Sequence, residues 1–163
     1  MPTEFDVRRG GTDDFLAMVR LFDGALLDTD EEQLRAFLSE RSPDGFVLIA
    51  TISDRTVGAI AVREAVAGDH DGASAEASGG VDVDADAAPA AHIVALAVRP
   101  ARRGRGIGHT LVSAGADRVA PRPLSAAFDE RVRPFYSACG FDIEPRDGRL
   151  WGIRRVDTDP TDQ

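Results

Sequence analysis

This chain contains no lysine, and its 19 basic residues of the lysine and arginine type are all arginine. The single cysteine, Cys139, cannot form a disulfide within the chain. No apolar run is long enough to span a membrane. The first residues do not show the charged and then apolar pattern of a secretory signal peptide. We therefore expect a cytoplasmic protein without a membrane partner. At 163 residues we expect one domain, over 1–163, with one apolar core.

Acidic residues outnumber arginine and give the chain a formal net charge of −9. Aspartate is used more than glutamate, and this composition resembles that of proteins from salt-in halophiles, such as halophilic archaea, whose surface carboxylates hold water. A high-GC genome, which also replaces lysine by arginine, is the alternative explanation. The acidity argues against a nucleic-acid partner. We read it as an adaptation to the solvent, not to the substrate.

The most informative segment is 94–108, where an apolar strand runs into a turn rich in glycine and arginine and then into a helix. Gly104, Gly106 and Gly108 allow backbone angles closed to other residues and let a ligand approach the main chain. The N-terminus of the following helix presents unpaired N–H groups and a positive dipole end, which favour an anion. The segment therefore predicts a phosphate-binding turn, with a plain strand-to-helix turn as the alternative.

Two common phosphate-binding motifs do not fit this turn. A Walker loop has lysine and then serine or threonine after its last glycine, whereas here Gly108 is followed by His109 and Thr110. The Rossmann fingerprint G-x-G-x-x-G differs from the spacing of Gly104, Gly106 and Gly108. No residues have metal-ligand spacing, and we expect no metal.

The turn does match Q/R-x-x-G-x-G/A, the pyrophosphate-binding pattern of the GNAT superfamily of acyl-CoA-dependent N-acetyltransferases, with Arg103, Gly106 and Gly108 at its fixed positions. Further along, segment 135–141 reads FYSACGF and is similar to the family's F-Y-x-x-x-G-F. The chain resembles this superfamily over roughly residues 4–156. The resemblance implies acetyl-CoA as cosubstrate and a primary amine as acceptor, in a monomer or homodimer.

Periodicity and turn residues predict the order β-α-α-β-β-β-α-β-α-β-β, an α/β fold with a central, mostly antiparallel sheet and flanking helices. This is the order of the GNAT fold. Thr12 and a capping box of Thr29 with Glu32 predict the first two helix starts. Segment 67–90 has no large apolar anchor and is predicted to be a mobile acidic insertion. The polar tail from about 157 is predicted to be frayed.

The resemblance also implies a set of cofactor contacts. Main-chain groups of Leu96 and Val98 would bind the pantetheine arm as though it were an added strand. Arg103 takes the family's Q/R position, and Arg105 lies between the glycines, while Arg102 is either solvated or directed to the 3′-phosphate. The full predicted cofactor site comprises Leu96, Ala97, Val98, Arg103, Gly104, Arg105, Gly106, Ile107, Gly108 and His109.

Tyr136 and His92 are the predicted catalytic residues. In the position of Tyr136 many members of the family use a phenol to protonate the departing CoA thiolate, and the alternative is that the ring only packs. His92 stands where histone-type relatives have a glutamate that deprotonates the amine, and a histidine suits a general base. The alternatives are a structural histidine and Glu64 as the base.

Two further positions complete the set of expectations. Asp129 stands where many relatives carry an asparagine, and the change from amide to carboxylate leaves open whether it contacts CoA. Cys139 is expected to be a small packing residue with no histidine nearby. A non-catalytic acyl-CoA-binding or regulatory module remains the alternative to an enzyme, and the sequence carries no recognisable code for the acceptor.

Overall fold

The computed structural model describes residues 5–24, 30–39, 44–64, 91–120, 122–146 and 148–155. In chain order these residues form β1 (Asp6–Arg9), α1 (Phe15–Gly24), α2 (Glu31–Phe37), β2 (Gly45–Ile52), β3 (Arg55–Arg63), β4 (Ala91–Val98), α3 (Ile107–Val119), β5 (Leu124–Phe128), α4 (Arg133–Ala138), β6 (Asp142–Arg146) and β7 (Arg149–Arg154). The predicted element order and mixed α/β class are confirmed. The predicted mobile insertion at 67–90 and the tail from 157 lie outside the described residues.

The strands form one sheet in the order β1-β2-β3-β4-β5-β7-β6. Every neighbouring pair is antiparallel except β4 and β5, which run parallel. These two strands pair only at Ala91 with Leu124 and at His92 with Ser125. Beyond His92, the edge of β4 that faces β5 therefore has no strand partner in the described chain.

A bulge interrupts β4 next to this point. Ala61 of β3 pairs with Ala95, but Val62 pairs with Ile93, so Val94 is one extra residue on β4. A bulge of this kind bends a strand and re-aims its side chains. The bulge lies two residues from His92, where the pairing of β4 with β5 ends.

Helices cover both faces of the sheet and create two apolar clusters. One cluster joins α3 and α4 to the sheet through residues such as Ile60, Leu111 and Phe128. The other joins α1 and α2 to the opposite face through residues such as Phe22 and Phe37. No helix in the described ranges is long and apolar enough to cross a membrane.

Two local predictions need correction. The N-cap of α2 is Asp30, whose carboxylate accepts from the N–H groups of Glu32 at 2.9 Å and Gln33 at 3.4 Å. The predicted capping box with Thr29 is therefore wrong, and Thr29 itself lies outside the described residues. Aspartate and threonine both cap helices, so the sequence signal shifts easily by one residue.

Segment 53–56, Ser-Asp-Arg-Thr, predicts a four-residue hairpin turn between β2 and β3, and the turn is tighter than that. Strand pairing runs to Ile52 opposite Arg55, which leaves Ser53 and Asp54 as a two-residue turn with φ of 49° and 66°. Two successive positive φ angles are typical of the hairpin turn that matches the twist of its strands.

Gly45 offers a sharp test of how tightly α2 packs on the sheet. A Cβ at Gly45 would lie 2.3 Å from the carbonyl oxygen of Val62 and 2.7 Å from the ring of Phe37. We expect Gly45→Ala to lower the free energy of unfolding by about 2–3 kcal/mol, measured by urea denaturation. Gly24→Ala is the control because nothing lies within 4 Å of a Cβ there, and it should keep or raise stability. Equal effects of the two substitutions would contradict this packing.

Candidate active site

The glycine-rich turn connects β4 to α3 by way of a 3-10 turn at Pro100–Arg102. Gly104 and Gly106 have φ of 78° and 83°, angles that L residues with a side chain rarely adopt. Gly106 is the N-cap of α3 and provides no side-chain cap for the helix. The N–H groups of the first turn of α3 therefore keep their capacity to bind an anion.

Gly108 has a different role from the other two glycines. It is buried inside α3, and a Cβ there would lie 2.9 Å from the ring of Phe135. The glycine therefore lets Phe135 of α4 approach the first turn of α3. This contact joins the two sequence motifs, because Gly108 belongs to the phosphate-binding pattern and Phe135 opens the segment FYSACGF.

The edge of β4 that faces β5 presents main-chain groups of Leu96 and Val98. The N–H of Arg99 donates to the carbonyl of Val57 on β3, at 2.8 Å. Main-chain groups alternate along a strand, so Ala97 also faces β3, while Leu96 and Val98 face the gap between β4 and β5. The gap therefore leads directly into the glycine-rich turn.

The arginines of the turn have separate surroundings. Arg103 is exposed and its Nε donates to the carbonyl oxygen of Val98 at 3.3 Å, at the mouth of the gap. Arg102 instead lines an open cavity of about 580 Å³ together with Arg55 and Asp54 of the β2–β3 hairpin. Arg105 is exposed. Arg102 thus faces a different part of the surface from the gap.

Tyr136 is buried in an aromatic cluster beside the gap. Its ring stacks on Phe128 with centroids 4.2 Å apart, and it makes edge contacts with Phe135 at 5.1 Å and Phe141 at 5.2 Å. Burial raises the pKa of Tyr136 to about 12, so the hydroxyl remains protonated at neutral pH. The ring therefore packs the core, and the group at its tip is a proton donor.

The hydrogen bonds of His92 determine which of its nitrogens carries the proton. Its Nδ1 lies 3.0 Å from Oγ of Ser125, and that hydroxyl donates to the carbonyl of Ala91 at 3.1 Å. A serine hydroxyl has a single hydrogen, so with this bond to Ala91 the Oγ atom is an acceptor for Nδ1–H of His92. The lone pair is then on Nε2, which is the form that a general base requires.

The surroundings of His92 also keep it neutral. Burial lowers the pKa of His92 to about 4, and the positive charges of Arg63 and Arg149 act in the same direction. Its ring stacks on Trp151 with centroids 5.4 Å apart. Sequence reasoning missed Ser125 and Trp151, because they reach His92 from β5 and β7 and no local pattern marks them.

His92 and Tyr136 lie on opposite faces of the sheet. Side chains alternate along β5, so Ser125, which bonds His92, and Phe128, which stacks on Tyr136, face opposite ways. The gap between β4 and β5 lies between these two faces.

Glu64, the alternative candidate for the base, is paired with a neighbouring arginine. Glu64, at the end of β3, forms an ion pair with Nη2 of Arg122. Asp129 is exposed and lies 3.9 Å from Arg149 Nε and 4.0 Å from Arg131 Nη2. Both carboxylates thus lie within ion-pair distance of arginines, closely for Glu64 and at the outer limit for Asp129.

The expectation that no histidine lies near Cys139 is wrong. Cys139 Sγ lies 3.5 Å from Nδ1 of His109, across the interface between the end of α4 and the start of α3. Burial raises the pKa of the Cys139 thiol, and the charge of Arg154 only partly opposes this. The residue therefore remains a thiol in a packed position, as expected. The contact was missed because it depends on how the two helices are placed.

The sequence model of the acetyltransferase (GNAT) family matches residues 15–141. The structure is similar to Arabidopsis thaliana NAA60 in complex with acetyl-CoA, with a TM-score of 0.70, 12% identity, and coverage of 93% of this chain and 98% of that one. An acetyltransferase from Thermus thermophilus has a TM-score of 0.64 and 17% identity, with 96% of this chain and 100% of that one covered.

A third similar structure is N-acetylglutamate synthase from Neisseria gonorrhoeae complexed with coenzyme A and L-arginine. Its TM-score is 0.66 at 18% identity, and the alignment covers 96% of this chain but 34% of that longer one. No curated protein matches the chain in sequence. At these identities the structural similarities establish the shared fold.

The depressed pKa of His92 predicts how stability depends on pH. Between its ordinary value of 6.5 and about 4, the unfolded chain binds a proton at His92 that the folded chain does not. The contribution of neutral His92 is therefore lost as pH falls through this window, by an amount on the order of 3 kcal/mol. We expect wild-type stability in urea to fall more steeply from pH 7 to pH 4 than that of His92→Gln. Parallel profiles would show that His92 titrates normally.

Proposed function

The chain belongs to the acetyltransferase (GNAT) family, and we propose that it transfers an acetyl group from acetyl-CoA to a primary amine by direct attack in a ternary complex. The observation that carries the proposal is the unpaired edge of β4 that runs into the turn at Gly104 and Gly106. An extended pantetheine arm can pair with such an edge as an added strand does. The pyrophosphate then meets the free N–H groups of α3.

The residues beside this edge divide the chemistry between them. Nε2 of His92 removes a proton from the acceptor's ammonium group, and the amine nitrogen attacks the thioester carbonyl carbon. A main-chain N–H of β4 near Val98 stabilises the oxyanion. As the new C–N bond forms and the C–S bond breaks, Tyr136 gives its proton to the CoA sulfur. The new amide nitrogen loses its surplus proton, which restores the phenol of Tyr136, and His92 returns its proton to solvent. The products are the acetylated amine and free CoA.

A non-catalytic acyl-CoA-binding module is the second candidate, and the pKa values of the two proposed catalytic groups are the observation that favours it. A base with a pKa of about 4 and an acid with a pKa of about 12 are both far from the values that suit proton transfer near neutral pH. Release of CoA in the presence of a panel of amines separates the two candidates. The module would bind acetyl-CoA without releasing CoA.

Acetyl-CoA should stabilise the fold, because a ligand bound only by the native state raises stability by mass action. Gly106→Val should weaken acetyl-CoA binding about tenfold or more, since it blocks both the positive φ and the approach to the main chain. The matched control is Gly148→Val, which places the same residue at φ 79° in the β6–β7 turn. Thermal shift against acetyl-CoA concentration measures both variants. No shift for the wild type, or equal weakening in both variants, would contradict the proposed cofactor site.

Tyr136→Phe tests the proposed acid. It removes one proton donor and retains the ring that stacks on Phe128, so turnover should fall by about tenfold to a thousandfold while acetyl-CoA affinity stays near wild type. Steady-state CoA release and calorimetric binding give the two quantities. Full activity would mean that the ring only packs. A parallel loss of binding would mean that the hydroxyl chiefly holds the cofactor.

A further inference from the structure

The immediate surroundings of His92 are positively charged, although the chain as a whole is acidic. Arg63 of β3 lies directly opposite His92 in the antiparallel ladder, so their side chains share a face. Arg63 is exposed and forms no ion pair or hydrogen bond with any residue in the described ranges. As far as the structure describes the chain, it therefore presents a guanidinium without a carboxylate partner beside the proposed base.

Arg149 adds a second positive charge from the other side. It precedes Trp151 by two residues on β7, so the two side chains share a face, and Trp151 stacks on His92. Its side chain is 59% exposed, and its contact with Asp129 is a long one of 3.9 Å. His92 and the Trp151 ring thus lie between two exposed guanidinium groups.

Within the described ranges, two acidic groups near these arginines have partners of their own. Glu64 is paired with Arg122. Glu144 lies opposite Trp151 in the β6–β7 ladder and has a partner of its own, and no carboxylate is among the groups that shift the pKa of His92. Arg63 is on the neighbouring strand, at about 5 Å. Among the described residues, Arg63 and Arg149 are therefore the charged groups that shift the pKa of His92.

We propose that the acceptor is a primary amine that carries a carboxylate close to its nitrogen, as an α- or β-amino acid does, with Arg63 and Arg149 as the residues that bind this carboxylate. The inference rests on the proposed transfer reaction. Guanidinium groups bind carboxylates in a planar, two-point geometry that fixes orientation as well as charge. An amine held by its carboxylate in this way places its nitrogen beside Nε2 of His92.

Binding of such an acceptor would also raise the basicity of His92. Burial lowers the pKa of His92, and the two arginines lower it further. A carboxylate between the arginines offsets their field, so the pKa of His92 rises when the acceptor is bound. The base then becomes stronger in the complex that needs it, and an acceptor without a carboxylate lacks this effect.

The experiment compares acceptors that differ only at the carboxylate. CoA release is measured with alanine, glutamate, phenylalanine and β-alanine, each against its carboxamide at the group nearest the amine. Wild type, Arg63→Gln, Arg149→Gln and the control Arg55→Gln are used, because Arg55 is at the opposite end of β3. We expect kcat/KM to favour the acid in at least one pair by about tenfold or more, and each site variant to reduce that ratio about three- to tenfold. Arg55→Gln should retain it.

The outcomes separate the inference from the function on which it rests. Equal use of acid and amide in every pair, or the same preference in both site variants as in wild type, overturns the inference while the transfer reaction stands. Turnover of carboxylate-free amines alone overturns it as well. Bound acetyl-CoA with no CoA release from any amine overturns the proposed function, and the inference falls with it. The wild-type comparison needs no variant, so poor folding of an arginine variant does not affect it.

Discussion

The short pairing between β4 and β5 is the constraint on which the rest of the site depends. Two parallel strands that pair only at their beginnings leave main-chain donors and acceptors of β4 unmatched from Ile93 onward. Unmatched backbone groups in a sheet are a template for an added strand. Val94 is one extra residue on β4. The pairing of β4 with β3 therefore continues past the end of the β4–β5 pairing with a single bulge.

The two sides of the opening are supported by different elements. On one face, Gly108 lets Phe135 pack against α3, and the same aromatic cluster holds Tyr136. On the other face, Ser125 fixes the ring of His92, and Trp151 covers it. Tyr136 and His92 thus belong to separate packing units on opposite faces of the sheet.

Much of the candidate site could be predicted because it is local in sequence. The strand, the glycines and the first turn of α3 follow one another, so the identity and spacing of residues already specify positive φ at Gly104 and Gly106 and an uncapped helix start. Segments 107–119 and 124–128, which the sequence predicts as a helix and a strand, form α3 and β5 for the same reason. The cap at Asp30 and the turn at Ser53 differ from the predictions by one or two residues, since adjacent polar residues compete for these positions.

The sequence by itself determined the order of the elements and the glycine-rich turn before α3, because each depends on neighbours along the chain, and its resemblance to the family singled out the pair of residues proposed for catalysis. Only the tertiary structure decided the tautomer of His92, the contact of Cys139 with His109 and the charge around the base. These features join residues of different strands and helices. Their distances are set by sheet register and helix packing, and no local pattern of residues encodes either of these.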